Sequence, residues 1–134
     1  MSSISSTWRL SPNQPELAPV ERDQVADALM HFDRQRYELA AYVVMNDHVH
    51  VLVRPIADYA LEAVVHSWKS YTASQLLRAH KRVGLIWQDE YFDRIVRNAD
   101  EFKQKFEYIL FNPWKRWPQI REYQWVWSSS DDYW

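Results

Sequence analysis

Two imidazoles, a phenol and a side-chain amide are the groups in this chain whose spacing invites chemistry. In MNDHVHVLVRP, Met45 to Pro55, His48 and His50 stand one residue apart in a run of valines. A strand turns every second side chain to the same face, so His48, His50 and Leu52 share one face and Val49, Val51 and Val53 the other. The valine face reads as core and the histidine face as a site. Neutral imidazoles bind metals and move protons, but a His-x-His pair on a hairpin is also a common surface feature, and spacing alone leaves both readings open. Further along, NADEFKQKFEYILFNP, Asn98 to Pro113, reads as a helix. Asn98 and Glu101 have capping-box spacing, and Pro113 predicts a stop at or near Asn112. Phe102, Phe106, Ile109 and Leu110 fall in one apolar sector, while Glu101, Lys105, Tyr108 and Asn112 form a second stripe. Tyr108 and Asn112 are therefore one turn apart. Taken singly, each also fits a packing ring and a helix-stop residue. His31, His66 and His80 have no comparable partner and read as structural or solvent-facing.

The elements that must position these groups follow from punctuation by proline, since Gly84 is the only glycine. STWRL reads as a first strand and SPNQPELAP as a linker, together residues 1–18. From Pro19, PVERDQVADALMHFDRQ has Val20, Val25, Leu29 and Phe32 near helical spacing, with Pro suited to the first turn. YELAAYVVM and HVHVLVR are β-rich runs joined by Asn46-Asp47, a pair that tolerates positive φ, which predicts a two-residue hairpin. Leu61, Val64, Val65, Trp68, Thr72, Leu76 and Ala79 predict a long amphipathic helix from about Asp58 to His80. RVGLIWQDE then turns the chain into a fourth strand, YFDRIV. The order strand, helix, strand, strand, helix, strand predicts a ferredoxin-like α+β fold. It has a four-stranded antiparallel sheet, two helices on one face, and an extra C-terminal helix, residues 98–112.

A chain of 134 residues is read as one domain, 1–134. Its 47% hydrophobic content argues against disorder. The absence of cysteine excludes disulfides and thiolate metal sites and fits a cytoplasmic protein. No secretory signal is visible at the N-terminus, and no apolar run approaches the roughly 20 residues of a membrane helix, so a soluble protein is expected. Net charge is −2, which gives no global argument for a polyanionic partner. Locally, however, no acidic residue occurs from Ala63 to Gln88, where Lys69, Arg78, Lys81 and Arg82 concentrate positive charge. A one-sided basic surface can steer nucleic acid; a solvated helix face is the alternative. Arg94, Arg97, Lys115 and Arg116, with Trp114 and Trp117, are further candidates for DNA contact. Trp114, Trp117, Trp125, Trp127 and Trp134 fill the tail, 113–134, where they either stack on bases or cover the open side of the sheet.

Four segments occur in one order: AYVVMNDHVHVLV, WKSYTA, IWQDEYFDRIVR and YILFNP. In that order and spacing the chain resembles the HUH single-tyrosine transposases, nearest the REP-associated branch, from about Trp8 to Ser128. MND stands where relatives more often carry Met-Pro-Asn or Met-Pro-Asp. The resemblance implies that His48, His50 and Asn112 are metal ligands and Tyr108 the nucleophile. It implies cleavage and transfer of single-stranded or hairpin DNA through a 5′-phosphotyrosine, with Mg²⁺ or Mn²⁺ as cofactor. Imidazole ligands favour Mn²⁺ and cellular abundance Mg²⁺, so activity with either is expected. Lys105, one turn before Tyr108, is a candidate modulator whose charge would favour a phenolate; a solvated lysine is the alternative. Relatives of the insertion-sequence type are dimers that exchange the tyrosine helix, whereas REP-associated ones can be monomers. The competing reading is a catalytically silent relative that recognises hairpin DNA without cutting it. A zinc hydrolase or nucleobase deaminase is disfavoured, because there is no Cys pair and no His-x-Glu motif.

Overall fold

The valine face of the second hairpin strand fixes the architecture. In the computed structural model, which describes residues 3–129, the elements are β1 (Ile4–Leu10), α1 (Pro19–His31), β2 (Tyr37–Val44) and β3 (His48–Pro55). They continue with α2 (Leu61–Ala79), β4 (Trp87–Ile95), α3 (Ala99–Arg116) and β5 (Val126–Ser128). The strands pair antiparallel in the order β4-β1-β3-β2-β5. The expected α+β class with an antiparallel sheet and three helices holds. The sheet nevertheless has five strands among the described residues, because the tail adds β5 to the free edge of β2.

Val49, Val51 and Val53 pack into a core shared with α1 and α2. Its aromatic centre is Trp8, stacked on Trp68 at 5.7 Å and edge-on to Trp87 at 6.4 Å. The Tyr37 hydroxyl there donates to the Leu29 carbonyl at 2.6 Å and accepts the Trp68 indole N–H at 3.1 Å. On the other face, Leu52 packs with Ala41, Val43 and Ile109, and with the half-buried Phe102, Phe106 and Leu110 of α3. Each large apolar side chain buried this way contributes roughly 1.5–3 kcal/mol. That packing clamps α3 over the histidine face. β2 serves both cores by alternation, and a bulge between Leu39 and Ala41 shifts its phase, so that Leu39, Tyr42 and Val44 face one layer and Ala41 and Val43 the other.

Several boundaries differ from the sequence expectation, each for a visible reason. α1 stops at His31, and Arg34 beyond it has φ 70°, a left-handed conformation that no helix continues through. α3 does not end at Asn112; it runs on to Arg116 with Pro113 inside it. Proline removes its own N–H and crowds the carbonyl four residues before it, but leaves its own carbonyl free: that of Pro113 accepts from Trp117 N at 2.7 Å. Asn98 does cap α3, accepting from Glu101 N at 2.9 Å, but the Glu101 carboxylate turns to Arg94 instead of closing the box. The hairpin turn also forms without positive φ at Asn46 or Asp47. The end of β1 and the linker fix it instead: Leu10 N donates to Asp47 O at 2.9 Å and Leu17 N to Asn46 O at 2.7 Å.

The tail is a strap on the β2 edge. Tyr123 stacks on Trp117 and donates its hydroxyl to the Val44 carbonyl at 2.6 Å. The Trp125 indole N–H donates to Asp23 at 2.7 Å under the Arg22 guanidinium, and Trp127 stacks on Tyr42. Trp114 donates to Ile120 O at 3.0 Å. These four indoles are spent on packing; Trp134 lies outside the described residues. α3, more than the indoles, covers the second sheet face.

Candidate active site

β3 delivers His48 and His50 to the face that α3 covers, and α3 brings Tyr108 to them. The His48 and His50 rings are 4.6 Å apart between centroids, and the Tyr108 ring is 5.3 Å from His50, edge-on in both cases. Asn112, one turn after Tyr108, is buried and forms no side-chain hydrogen bond to any described residue. Tyr108 is half exposed, at 48%. The Tyr108 ring thus meets both solvent and His50.

The imidazoles are held in a way that suits ligands. His48 Nδ1 lies 2.6 Å from the Asp47 carboxylate, which can only accept, so Nδ1 carries the proton and Nε2 presents a lone pair. His50 Nδ1 lies 2.7 Å from Thr7 Oγ1, and its Nε2 is buried with no hydrogen-bond partner. When Nδ1–H donates to Thr7, that unpartnered nitrogen is a second lone pair. Both rings are kept neutral. Burial pushes His50 down to about 3, reinforced by the proton that His48 would carry if charged and by the charges of Arg9 and Lys105. Burial also lowers His48, with Arg9 acting in the same direction and the Asp47 carboxylate opposing. A buried, neutral, oriented imidazole with an idle nitrogen is what a divalent cation requires. No group of three His, Cys, Asp or Glu that could hold a metal occurs among the described residues, so two imidazoles would need a different third donor. The amide of Asn112 is of the right kind.

The basic residues divide. Arg82 is removed from the DNA-facing set: its guanidinium is buried, bonded to Glu21 at 2.6 and 2.7 Å and to the carbonyls of Pro15 and Glu16 at 2.8 and 3.0 Å. It ties the loop after α2 to the linker. The Lys69 ammonium donates to Gln88 O at 2.7 Å and Asp89 O at 3.3 Å, securing the start of β4. Arg94 pairs with Glu101 at 3.0 Å. Arg78, Lys81 and Arg97 are exposed. Lys69 and Arg78 belong to α2, across the sheet from Tyr108. Lys115 does join the site, 5.8 Å above the Tyr108 ring, while Arg116 rests on Trp117. Lys105 also joins it through its effect on His50.

Thr7 and Arg9 on β1 and Asp47 in the turn were not legible as site residues. Alternation does put Thr7 and Arg9 on one face of STWRL, but only the pairing Thr7↔His50 and Arg9↔His48 shows which face. Cavities of about 410 and 520 Å³ lie between α1 and α2 and beside β4, and neither is lined by His48, His50 or Tyr108. The site opens to solvent at the half-exposed Tyr108, while His50 and Asn112 are buried.

Solved transposase structures share this overall fold. The chain superimposes on a REP-associated tyrosine transposase bound to a REP hairpin with a TM-score of 0.74 at 21% identity, covering 93% of this chain and 75% of that one. It matches a candidate transposase from Deinococcus radiodurans R1 with a TM-score of 0.60 at 19% identity, covering 84% and 91%. The sequence profile of the IS200-like transposases matches residues 23–111, and the chain belongs to that family. No curated protein matches it. The family assignment makes it a DNA-processing enzyme of transposition. No helix among the described residues is long and apolar enough to cross a membrane.

Proposed function

We propose that this chain cleaves and rejoins single-stranded or hairpin DNA through a covalent bond to Tyr108. The observation that carries the reading is the 5.3 Å approach of the Tyr108 ring to His50 within one chain. It also supports a site complete in a single copy, without helix exchange in a dimer. His48 Nε2, His50 Nε2 and the Asn112 amide oxygen are the donors that would hold a divalent cation, Mg²⁺ or Mn²⁺. When bound, such a cation supplies charge against the phosphate oxygens and the departing oxygen.

The phenolic oxygen of Tyr108 bonds to phosphorus as the bond from phosphorus to the 3′-oxygen breaks, and the phenol's proton ends on that 3′-oxygen. The products are a 5′-phosphotyrosine and a free 3′-hydroxyl, and attack by a 3′-hydroxyl reverses the step. No phosphodiester energy is lost to hydrolysis, so strands can be exchanged without another energy source. The half-exposed Tyr108 leaves room for a strand to reach it in line. Hairpin DNA as substrate is supported by the REP hairpin held by the structural relative.

The test is incubation with labelled single-stranded hairpin DNA and Mn²⁺, followed by denaturing electrophoresis. A covalent adduct present in the unaltered chain and absent in Tyr108→Phe is expected. Binding across several repeat-derived hairpins with no adduct would replace this reading with that of a silent DNA-binding relative.

A further inference from the structure

We propose that Arg9, supported by Lys105 and Lys115, binds a backbone phosphate of the DNA strand beside the His50–Tyr108 pair. The proposal deepens the strand-transfer reading and rests on it. In β1, Trp8 and Leu10 enter the core under α1 and α2, so Thr7 and Arg9 point to the opposite face. The register sets Thr7 across from His50 and Arg9 across from His48 on the neighbouring strand. Residues directly opposite in an antiparallel pair share a face about 5 Å apart, and the 2.7 Å contact of Thr7 with His50 verifies that face here. Arg9 is therefore next to His48, exposed, and without an ion pair or hydrogen bond to any described residue. The nearest carboxylate in sequence to His48, Asp47, is engaged by that imidazole.

Lys105 lies one turn before Tyr108 on α3, and Lys115 reaches over the Tyr108 ring at 5.8 Å from the helix's last turn. Cations from two elements thus flank the His48, His50 and Tyr108 rings in a chain whose net charge is −2. A phosphate between them would offset their mutual repulsion. A guanidinium offers a forked pair of donors that matches two phosphate oxygens, and two flanking ammonium groups add charge without demanding geometry. The placement suits a phosphate adjoining the one attacked, because Arg9 stands by His48, on the side of His50 away from α3.

The experiment measures binding of a fluorescein-labelled single-stranded hairpin oligonucleotide by anisotropy at several KCl concentrations. It uses the Tyr108→Phe chain, in which no covalent step occurs. Adding Arg9→Gln should weaken binding about tenfold at low salt and reduce the slope of log K against log salt by about 0.7, the value for one phosphate contact on a single strand. Arg9→Lys should keep the slope, and Lys103→Gln, on the solvent side of α3, should keep slope and affinity. Thermal melts of each variant establish that the fold is kept. An unchanged slope in Arg9→Gln, or an equal fall in Lys103→Gln, would overturn the proposal. So would failure of the Tyr108→Phe chain to bind the DNA at all. Absence of an adduct with the unaltered chain would instead sink the phosphotyrosine reading and leave the salt slope to judge Arg9.

Discussion

Replacing Arg82 by methionine separates a role in DNA binding from a role in the fold. Its guanidinium makes five hydrogen bonds: two to Glu21 at 2.6 and 2.7 Å, and three to Gln14 Oε1, Pro15 O and Glu16 O between 2.8 and 3.1 Å. Both side chains of the ion pair are 5% exposed. Removing one partner of such a buried pair strands the other charge and costs about 3–5 kcal/mol. Burial alone would raise Glu21, but the Arg82 hydrogen bonds, the Ala18 N–H and the charges of Arg82 and His80 hold it below its ordinary value. Without Arg82 that carboxylate must take up a proton or drag in water. For a chain of this length the loss corresponds to a melting temperature lower by roughly 10 °C or more. Urea unfolding and thermal melts read it directly, and the double variant Arg82→Met with Glu21→Met should recover part of the loss. The salt slope of DNA binding, measured where the variant is still folded, should not change. A variant of unaltered stability whose DNA-binding slope falls would refute the reasoning and return Arg82 to the nucleic-acid surface.

Thr7→Val keeps the shape beside His50 but removes the oxygen that fixes its Nδ1. Mn²⁺ affinity by calorimetry should fall about 10- to 100-fold with the melting temperature nearly unchanged, and Mn²⁺ binding equal to that of the unaltered chain would remove His50 from the ligand set. Acidification tests the neutral imidazole. His50 is held at about 3 in the fold, against an ordinary 6.5, so the unfolded chain binds the proton first. Its contribution to stability is complete above about 6.5 and is lost as pH falls from there toward 3. Urea midpoints for the metal-free chain should therefore drop across that window, and His50→Gln should flatten the drop; an identical profile in the variant would show that other groups control it.

How much of this could be read in advance depended on how local the cause was. Alternation along β3 sorted His48, His50 and Leu52 from Val49, Val51 and Val53 because a pleated strand permits no other arrangement. Helical spacing likewise put Tyr108 and Asn112 on one stripe, and the apolar sector of Phe102, Phe106, Ile109 and Leu110 identified the buried side of α3. Pro113 misled because a proline removes one hydrogen bond without forbidding the helix that follows it. The hairpin across Asn46-Asp47 forms as expected, but without positive φ, because Leu10 at the end of β1 and Leu17 in the linker supply bonds that shape the turn.

What the chain determined by itself was the set of faces: which side chains each strand and helix presents together, a matter of backbone periodicity. Which face meets which was decided only in the folded molecule. The register of β1 on β3 brought Thr7 and Arg9 to the histidines, and the packing of Ile109 on Leu52 set the phenol beside them. Basic residues were the least legible of all. A long charged side chain carries no sign in sequence of whether a carboxylate waits for it, and the Glu21 that buries Arg82 lies 61 residues away.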